Sequence, residues 1–450
     1  MSSARRLLTA LLLVAPAGLA AQTAPRPDAD PRIEKLVAAV SPERMRATVT
    51  KLESFGTRST LSDTVSTTRG IGAARRWIFD EFKRMSPKLQ VSYDRHLLAQ
   101  QGRITRDVDL VNVVAVLPGR SPRRVYVSGH YDSVNQRGAV ATGRPATAGQ
   151  PAPPNDDVDA PGANDDGSGT ALTMELARLF AESGVEFDAT LVFITWAGEE
   201  QGLIGSMAHA SALADASGVV EANFNNDIVG SSVGGSGLVD GESVKVYAIG
   251  PEDSPSRSLA RYIARIAATY VPSHSIRLMA REDRFGRGSD HSSFTANKFP
   301  AVVFREANEN YARQHSADDK IIGMDFTYLA QNARVNAAGA ASVALAPPAP
   351  RVLGDRGQAL IGRGKSGYDA DLQWVASPGA VGYRVYWRDA WTNDWQHTRV
   401  VGNVTQVIMP NVSIDDVVFG VAAIGADGNE SIISAYVSPD RPMSRIKLRK

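Results

Sequence analysis

Uncharged apolar runs alternate along the chain with stretches of helical periodicity. The run Leu191-Val-Phe-Ile-Thr-Trp196 is typical of a strand that is buried on both faces of a mainly parallel sheet. Similar runs predict further strands at residues 89–97, 110–117, 124–128, 222–227, 244–249, 275–279 and 301–304. Because strands and helices alternate, the pattern predicts an α/β fold, a three-layer αβα sandwich around a mixed, mainly parallel sheet.

Helical periodicity supports the same architecture. It is clearest at residues 33–85, 170–181, 203–213, 254–270 and 326–345. One face of the helix that ends near residue 85 is apolar, as expected for a helix that packs on a core, and it carries Ala74, Trp77, Ile78, Phe82 and Met85. We therefore predict one large domain at residues 33–345.

The pattern changes after a proline-rich linker at residues 346–352. Residues 353–440 contain short alternating runs and the hairpin signal Asp427-Gly428, which predict a small all-β sandwich. This part resembles a fibronectin type III domain, with Trp374 in its core, and a basic tail follows at residues 441–450. Trp391 and Trp395 leave two interpretations open, namely ordinary packing or the binding of a surface or polymer by this domain.

The first 21 residues have the layout of a secretory signal peptide. Arg5 and Arg6 precede an apolar run at residues 7–15, and small residues lead to Ala21. This run is too short to remain as a membrane anchor, and residues 22–32 form a Pro/Ala/Asp-rich leader. The sequence thus predicts an exported protein, periplasmic or extracellular, without a transmembrane segment.

Charge and cysteine content narrow the possible chemistry. Lys+Arg (49) and Asp+Glu (48) balance over the 450 residues, which argues against nucleic acid or a membrane surface as a partner. The chain contains no cysteine, so disulfides, thiolate nucleophiles and Cys-ligated zinc are excluded. A metal ion could be held only by histidines and carboxylates, which favours a catalytic over a structural site.

Two adjacent acids follow the central strand. Glu199 and Glu200 lie just beyond its carboxyl end, where open α/β sheets usually hold their ligands. No Lys or Arg stands within several residues, so a bound cation would relieve their mutual repulsion. The alternative is a solvated turn without function.

Other candidate ligands occur at equivalent places. His130 follows the strand at residues 124–128, and Asp132 is suitably spaced to orient its imidazole; the alternative is a surface turn. Asp165 precedes a helix, where capping alone would explain it. Asp227 and His315 also come after apolar runs. We expect these residues to gather at one edge of the sheet.

These motifs together resemble those of the secreted bacterial di-zinc aminopeptidases, relatives of glutamate carboxypeptidases and glutaminyl cyclases within the zinc exopeptidase superfamily. The resemblance spans roughly residues 52–345. Its motifs occur in the family's order and read Gly129-His130-Tyr-Asp132, Gly162-Ala-Asn-Asp165-Asp-Gly-Ser-Gly169, Gly198-Glu199-Glu200-Gln-Gly-Leu-Ile-Gly-Ser206, Asn226-Asp227, Ser289-Asp290-His291 and His315-Ser-Ala-Asp-Asp319.

The resemblance implies a site with two Zn²⁺ ions per chain. His130 and Asp227 would bind one ion, Glu200 and His315 the other, and Asp165 would bridge them. Glu199 would be the general base, and Asp132 would hydrogen-bond the far ring nitrogen of His130. The chain has Gln314 where relatives often carry an oxyanion-stabilising Tyr, and Tyr311 is a candidate replacement. Asp290 and His291 would support the substrate pocket.

The resemblance implies a metallo-exopeptidase. We expect an aminopeptidase that hydrolyses N-terminal peptide bonds of peptides with a free N-terminus, using a metal-bridging water activated by Glu199. A carboxypeptidase or dipeptidase on the same di-zinc site is the first alternative. A glutaminyl cyclase, which uses one zinc, and a non-catalytic peptidase-like binding module are the others, and the complete ligand set argues against both.

Overall fold

A large mixed sheet forms the centre of the molecule in the computed structural model, which describes residues 29–137, 156 and 158–437. Its strand order is β1-β2-β4-β3-β5-β8-β6-β7. The strands are β1 (Gln90–Leu98), β2 (Val108–Leu117), β3 (Ser121–His130), β4 (Ala189–Trp196), β5 (Val220–Asn226), β6 (Ser243–Tyr247), β7 (Ser275–Met279) and β8 (Ala301–Glu306). The four central strands, β4, β3, β5 and β8, are parallel, so their carboxyl ends meet at one edge.

Helices cover both faces of this sheet. They are α1 (Pro31–Ala38), α2 (Pro42–Glu53), α3 (Gly70–Met85), α4 (Gly167–Glu182), α5 (Ile204–Asp215), α6 (Pro255–Tyr270), α7 (His291–Ala296) and α8 (Phe326–Leu345). Side chains of the central strands alternate between two cores. Leu191 and Phe193 join the core under most of the helices, whereas Val192 and Ile194 join the core under α5 and α7. This alternation confirms the three-layer sandwich and the doubly buried central strand.

Predicted and observed elements differ mainly at their ends. The helical segment predicted at residues 33–85 consists of three helices, with an irregular stretch between α2 and α3. That stretch is rich in Ser, Thr and Gly, residues that compete with helix formation. The helix predicted from residue 170 begins at Gly167, because the Asp166 side chain accepts a hydrogen bond from the Gly169 amide and caps it.

The C-terminal residues form two further antiparallel sheets around a core of their own. Their strands are β9 (Ile361–Arg363), β10 (Ala370–Gln373), β11 (Gly382–Asp389), β12 (His397–Gly402), β13 (Gln406–Met409), β14 (Val417–Ile424) and β15 (Ser434–Ala435), in the orders β13-β10-β9 and β12-β11-β14-β15. Trp374 lies in this core as predicted, Trp395 packs against Tyr386, and Trp391 is 76% exposed.

Polar contacts join these sheets to the large domain. Arg388 pairs with Asp253 at 2.8 Å, and the Tyr262 hydroxyl donates to the Glu430 carbonyl at 3.0 Å. Asn429 donates to the Asp30 side chain at 3.0 Å, which ties the C-terminal part to the residue that caps α1. The C-terminal part therefore contacts the start of α1 and the helix α6 of the large domain.

Some predictions fall outside the described residues. These are the signal peptide at 1–21, most of the leader at 22–32 and the basic tail at 441–450. Among the described residues, none of the helices is both long enough and apolar enough to span a bilayer.

Candidate metal centre

The predicted ligands converge at the carboxyl edge of the parallel strands. His130 is the last residue of β3, Glu200 follows β4, and Asp227 directly follows β5. Asp165 lies just before the capping residue of α4, and His315 lies in the loop after β8. Since β4, β3 and β5 are parallel neighbours, their ends bring three of these side chains together.

Distances divide the five side chains into two groups that could each hold a metal ion. In the first, His130 Nε2 lies 3.3 Å from Asp165 Oδ1 and 3.8 Å from Asp227 Oδ1. In the second, His315 Nε2 lies 3.1 Å from Asp165 Oδ2 and 3.2 Å from Glu200 Oε2. Asp165 belongs to both groups and directs one oxygen into each.

Burial makes these polar atoms costly without a cation. The His130 side chain is 1% exposed, and Asp165, Glu200 and Asp227 are also buried, whereas His315 is 31% exposed. His130 Nε2, Glu200 Oε1 and Asp227 Oδ1 have no hydrogen-bond partner within the described part of the chain. Orphaned buried acceptors are rare. Imidazole and carboxylate donors suit zinc, so the residues present fit this metal.

The pKa values show how crowded the negative charges are. Burial raises the pKa of Glu200 to about 8 and that of Glu199 well above its ordinary value. The Glu200 carboxylate raises the pKa of His315 to about 9. Burial also opposes charge on Asp227, yet Arg305 and His130 hold its pKa at about 2. The site thus has more carboxylates than nearby positive groups can balance, which favours a bound cation.

Three further carboxylates, the outer carboxylates Asp132, Asp166 and Asp319, hold the backbone of the ligand segments. Asp166 accepts from the His130 amide at 3.0 Å, and Asp319 accepts from the Asp165 amide at 2.9 Å. Asp132 accepts from the amides of Glu199 and Glu200 at 3.3 and 3.2 Å. Each outer carboxylate therefore fixes the place where a candidate ligand leaves its strand or loop.

The contact expected between Asp132 and His130 differs in its atoms. His130 Nδ1 lies 3.1 Å from the Asp132 backbone carbonyl, whereas the nearest carboxylate oxygen is 3.6 Å away. The carboxylate is turned towards the amides of Glu199 and Glu200 and the Thr60 hydroxyl. The carbonyl thus orients the imidazole, and sequence spacing alone could not distinguish the two acceptors.

Asp290 and His291, which the sequence places in support of the substrate pocket, are not on the protein surface. Both are fully buried, and His291 Nε2 contacts the Glu282 carbonyl at 2.9 Å. Tyr311 is 55% exposed, and the Arg287 guanidinium stacks on its ring at 5.0 Å. Of the three residues expected near a substrate, only Tyr311 is accessible.

Two buried arginines were missed by the sequence analysis. Arg58 donates to four backbone carbonyls around the site, and Arg305 pairs with Asp227. Arg305 directly follows the apolar run Ala301-Val-Val-Phe304. A charged residue at the end of a buried strand was the one available signal of its role. Arg58 lies in the irregular stretch before α3, where no periodicity marked it.

Comparisons with known proteins agree with this geometry. The sequence profile of Peptidase family M28 matches residues 112–340. A probable zinc metalloprotease of the fungus Pyricularia oryzae is 39% identical over 446 residues, which cover 90% of this chain and 84% of that protein. A probable zinc metalloprotease of Pyrenophora teres f. teres is 36% identical, with 92% and 89% covered.

Solved structures share the fold at low sequence identity. The LapA aminopeptidase of Legionella pneumophila has a TM-score of 0.54 at 20% identity, covering 70% of this chain and 75% of that chain. The aminopeptidase of Aneurinibacillus sp. strain AM-1 has a TM-score of 0.50 at 17% identity, covering 69% and 96%. The glutaminyl cyclase of Porphyromonas gingivalis has a TM-score of 0.50 at 15% identity, covering 67% and 98%.

Proposed function

The chain belongs to Peptidase family M28 and is a zinc metallopeptidase, and we propose that it is an exported di-zinc aminopeptidase. The observation that carries this proposal is the pair of ligand groups that share Asp165. Export rests on the signal-peptide pattern of residues 1–21. The proposed substrates are peptides with a free N-terminus.

Five residues would hold the two zinc ions. His130 and Asp227 would hold one ion, Glu200 and His315 would hold the other, and Asp165, which directs one oxygen into each group, would contribute to both. Zinc bound there supplies a Lewis acid, which polarises a carbonyl and lowers the pKa of water. The partly exposed His315 lies on the side from which a substrate can approach.

Glu199 is the proposed general base. Burial raises the pKa of its carboxyl, so Glu199 is suited to accepting a proton from the attacking water and returning it to the leaving amine. Its amide donates to Asp132 at 3.3 Å, as the Glu200 amide does at 3.2 Å. Asp132 thereby holds base and ligand in a fixed relation, as catalysis by a positioned group requires.

Two solved neighbours named as aminopeptidases support that specificity over a carboxypeptidase or dipeptidase. The hydrolysis of defined substrates distinguishes these activities. A carboxypeptidase or dipeptidase activity on the same site is the second candidate, because both would use the same ligands.

The test is a hydrolysis screen of the purified mature protein, with zinc content measured on the same sample. We expect cleavage of aminoacyl-anilides with a free amine, no cleavage of their N-acetylated copies, and two zinc ions per chain. Two bound ions with no cleavage of either set would move the assignment to carboxy-terminal or dipeptide substrates. Absence of bound zinc would refute the metal centre.

Variants separate the proposed roles of the two acids. Glu199→Gln is expected to keep its zinc while kcat falls by roughly 10²–10⁴-fold, the usual contribution of a general base. Glu200→Ala is expected to lose zinc. Glu182→Gln removes a half-exposed carboxylate on α4 and is the matched control, with unchanged zinc and activity. Equal zinc loss in Glu199→Gln and Glu200→Ala would contradict the division of roles.

A further inference from the structure

A line of buried polar contacts connects the two ligand groups without passing through Asp165. It runs from Asp227 to Arg305, from Arg305 to Glu309, and from Glu309 to Gln314, the residue before His315. We refer to Arg305 and Glu309 as the buried bridge. Asp227 belongs to the first ligand group and His315 to the second, so the bridge touches both halves of the site.

Arg305 is almost completely removed from solvent. Its side chain is 3% exposed, and Nη2 contacts both Asp227 Oδ2 and, at 3.3 Å, the Gly288 carbonyl. Nη1 lies 3.9 Å from Glu309 Oε2. A guanidinium is costly to bury unless anions accompany it. Because Arg305 occupies Oδ2 of Asp227, the other oxygen, Oδ1, is left to face His130.

Glu309 is equally buried and has several donors around one oxygen. Its side chain is 2% exposed, and Oε2 contacts Arg284 Nη1 as well as Gln314 Nε2 at 3.2 Å. The Glu309 carbonyl also accepts from the Gly235 amide at 3.2 Å. Glu309 is therefore a carboxylate shared by two arginines, and its hydrogen bond to Gln314 fixes the side chain of that residue.

Because Gln314 directly precedes His315, its hydrogen bond to Glu309 also restrains the backbone of this candidate ligand. His315 has a φ of 52°, a left-handed backbone conformation that few non-glycine residues adopt. Its carbonyl accepts from the Gln136 amide at 3.0 Å. The loop is thus held on one side by Gln136 and on the other by Glu309. Gln314 thus has a structural role, since its amide donates to the buried Glu309 carboxylate.

We propose that Arg305 and Glu309 are positioning residues that set Asp227 and His315 at the spacing needed for two metal ions. This inference rests on the proposed di-zinc centre. Arg305 orients the Asp227 carboxylate, and Glu309 orients the loop that carries His315. Neither residue belongs to the two ligand groups.

Metal binding provides a direct test, because groups that orient metal ligands typically contribute 10–100-fold to metal affinity. Zinc is titrated by calorimetry into the chelator-treated full chain. We expect Glu309→Gln and Arg305→Met to lower the affinity of both zinc positions by at least 10-fold. Arg305→Lys keeps the positive charge. We expect it to recover most of the zinc affinity at the Asp227 position. At the His315 position it should recover less affinity, because the lysine reaches Glu309 poorly.

A matched control separates positioning from stability. Asp253 is also a carboxylate shared by two arginines, Arg261 at 3.0 Å and Arg388 at 2.8 Å, and its side chain is 11% exposed, but it lies at the junction with the C-terminal sheets. Asp253→Asn is expected to lower the melting temperature with unchanged zinc affinities. If Glu309→Gln and Arg305→Met bind zinc as Asp253→Asn does, the positioning role is refuted. If the wild-type chain binds no zinc, the proposed function fails instead.

Discussion

Arg58 offers the strongest single test of how the site is held together. It is completely buried, and its guanidinium donates to the carbonyls of Leu52 at 3.2 Å, Tyr131 at 2.7 Å, Pro161 at 2.6 Å and Gly162 at 2.8 Å. These carbonyls belong to the end of α2, to the segment after β3 and to the loop before α4. The substitution Arg58→Met keeps most of the apolar stem and removes all four hydrogen bonds.

The expected loss is large because the donor is charged and completely buried. Hydrogen bonds to charged groups contribute about 1.5–3 kcal/mol each, so four of them correspond to roughly 6–12 kcal/mol before relaxation. Burial of the apolar methionine side chain offsets about 1.5–3 kcal/mol of this loss. We therefore expect Arg58→Met to lower the free energy of unfolding by about 4–9 kcal/mol, a large share of the usual 5–15 kcal/mol.

The same change should weaken zinc binding. Asp132 directly follows Tyr131, and Asp165 lies three residues after Gly162, so both segments that Arg58 joins lead into the site. Burial lowers the pKa of Arg58 to about 10, and the carboxylates Asp319 and Asp132 keep the group charged. Arg58→Lys retains the charge with fewer donors and is expected to lose about half as much stability.

Urea unfolding of the zinc-loaded and chelator-treated proteins measures both effects. A loss below about 1.5 kcal/mol for Arg58→Met would mean that the four bonds together contribute no more than one ordinary bond. That result would refute the reasoning on stability. If Arg58→Met instead loses the expected stability but keeps its zinc affinity, the link between Arg58 and the metal centre is refuted.

Three further predictions concern pH, packing and metal removal. Burial lowers the pKa of His291 to about 4, so the unfolded chain binds the proton first as the pH falls. About 3 kcal/mol of stability should be lost between roughly pH 6.5 and 4. Urea unfolding across this range should show a flatter curve for His291→Gln, which can still donate to the Glu282 carbonyl; an unchanged curve would exclude His291 as the cause. Gly169→Ala would place a methyl group against the Asn226 carbonyl and the Asp166 carboxylate. This crowding should lower the free energy of unfolding by about 1–3 kcal/mol and reduce the zinc content. A wild-type melting temperature would contradict this tight packing. Chelation should lower the unfolding free energy by about 2.7 kcal/mol for each site previously held at 100 times its Kd, and calorimetric melting with and without chelator measures this; identical melting curves would argue against bound metal.

Much of the fold followed from local patterns. The central run Leu191 to Trp196 has no charge, and its side chains alternate between two cores. The segment between α2 and α3 was less predictable, because its Ser, Thr and Gly residues give no periodicity. Helix ends also differed, since the Asp166 cap starts α4 earlier than the apolar pattern indicates.

Three candidate ligands, His130, Glu200 and Asp227, could be found because each has two independent signals. Residue type selects histidines and carboxylates, and position selects the ends of parallel strands, as for His130 and Asp227. The supporting groups lack such signals. Arg305 meets Asp227, and Glu309 meets Arg284, through contacts between distant segments, so nothing local indicates these two partners. Motif spacing also could not reveal that Asp290 and His291 are fully buried.

The hydrogen bond between Asn429 and Asp30 has a consequence for the order of folding. It joins residues 399 positions apart, and Asp30 also caps α1. During synthesis the Asp30 segment leaves the ribosome long before Asn429 is made. Contacts of such long range form late because the connecting chain must first be ordered. The bond between Asn429 and Asp30 can therefore form only after both domains have been translated, so the final support of the α1 cap arrives late in folding.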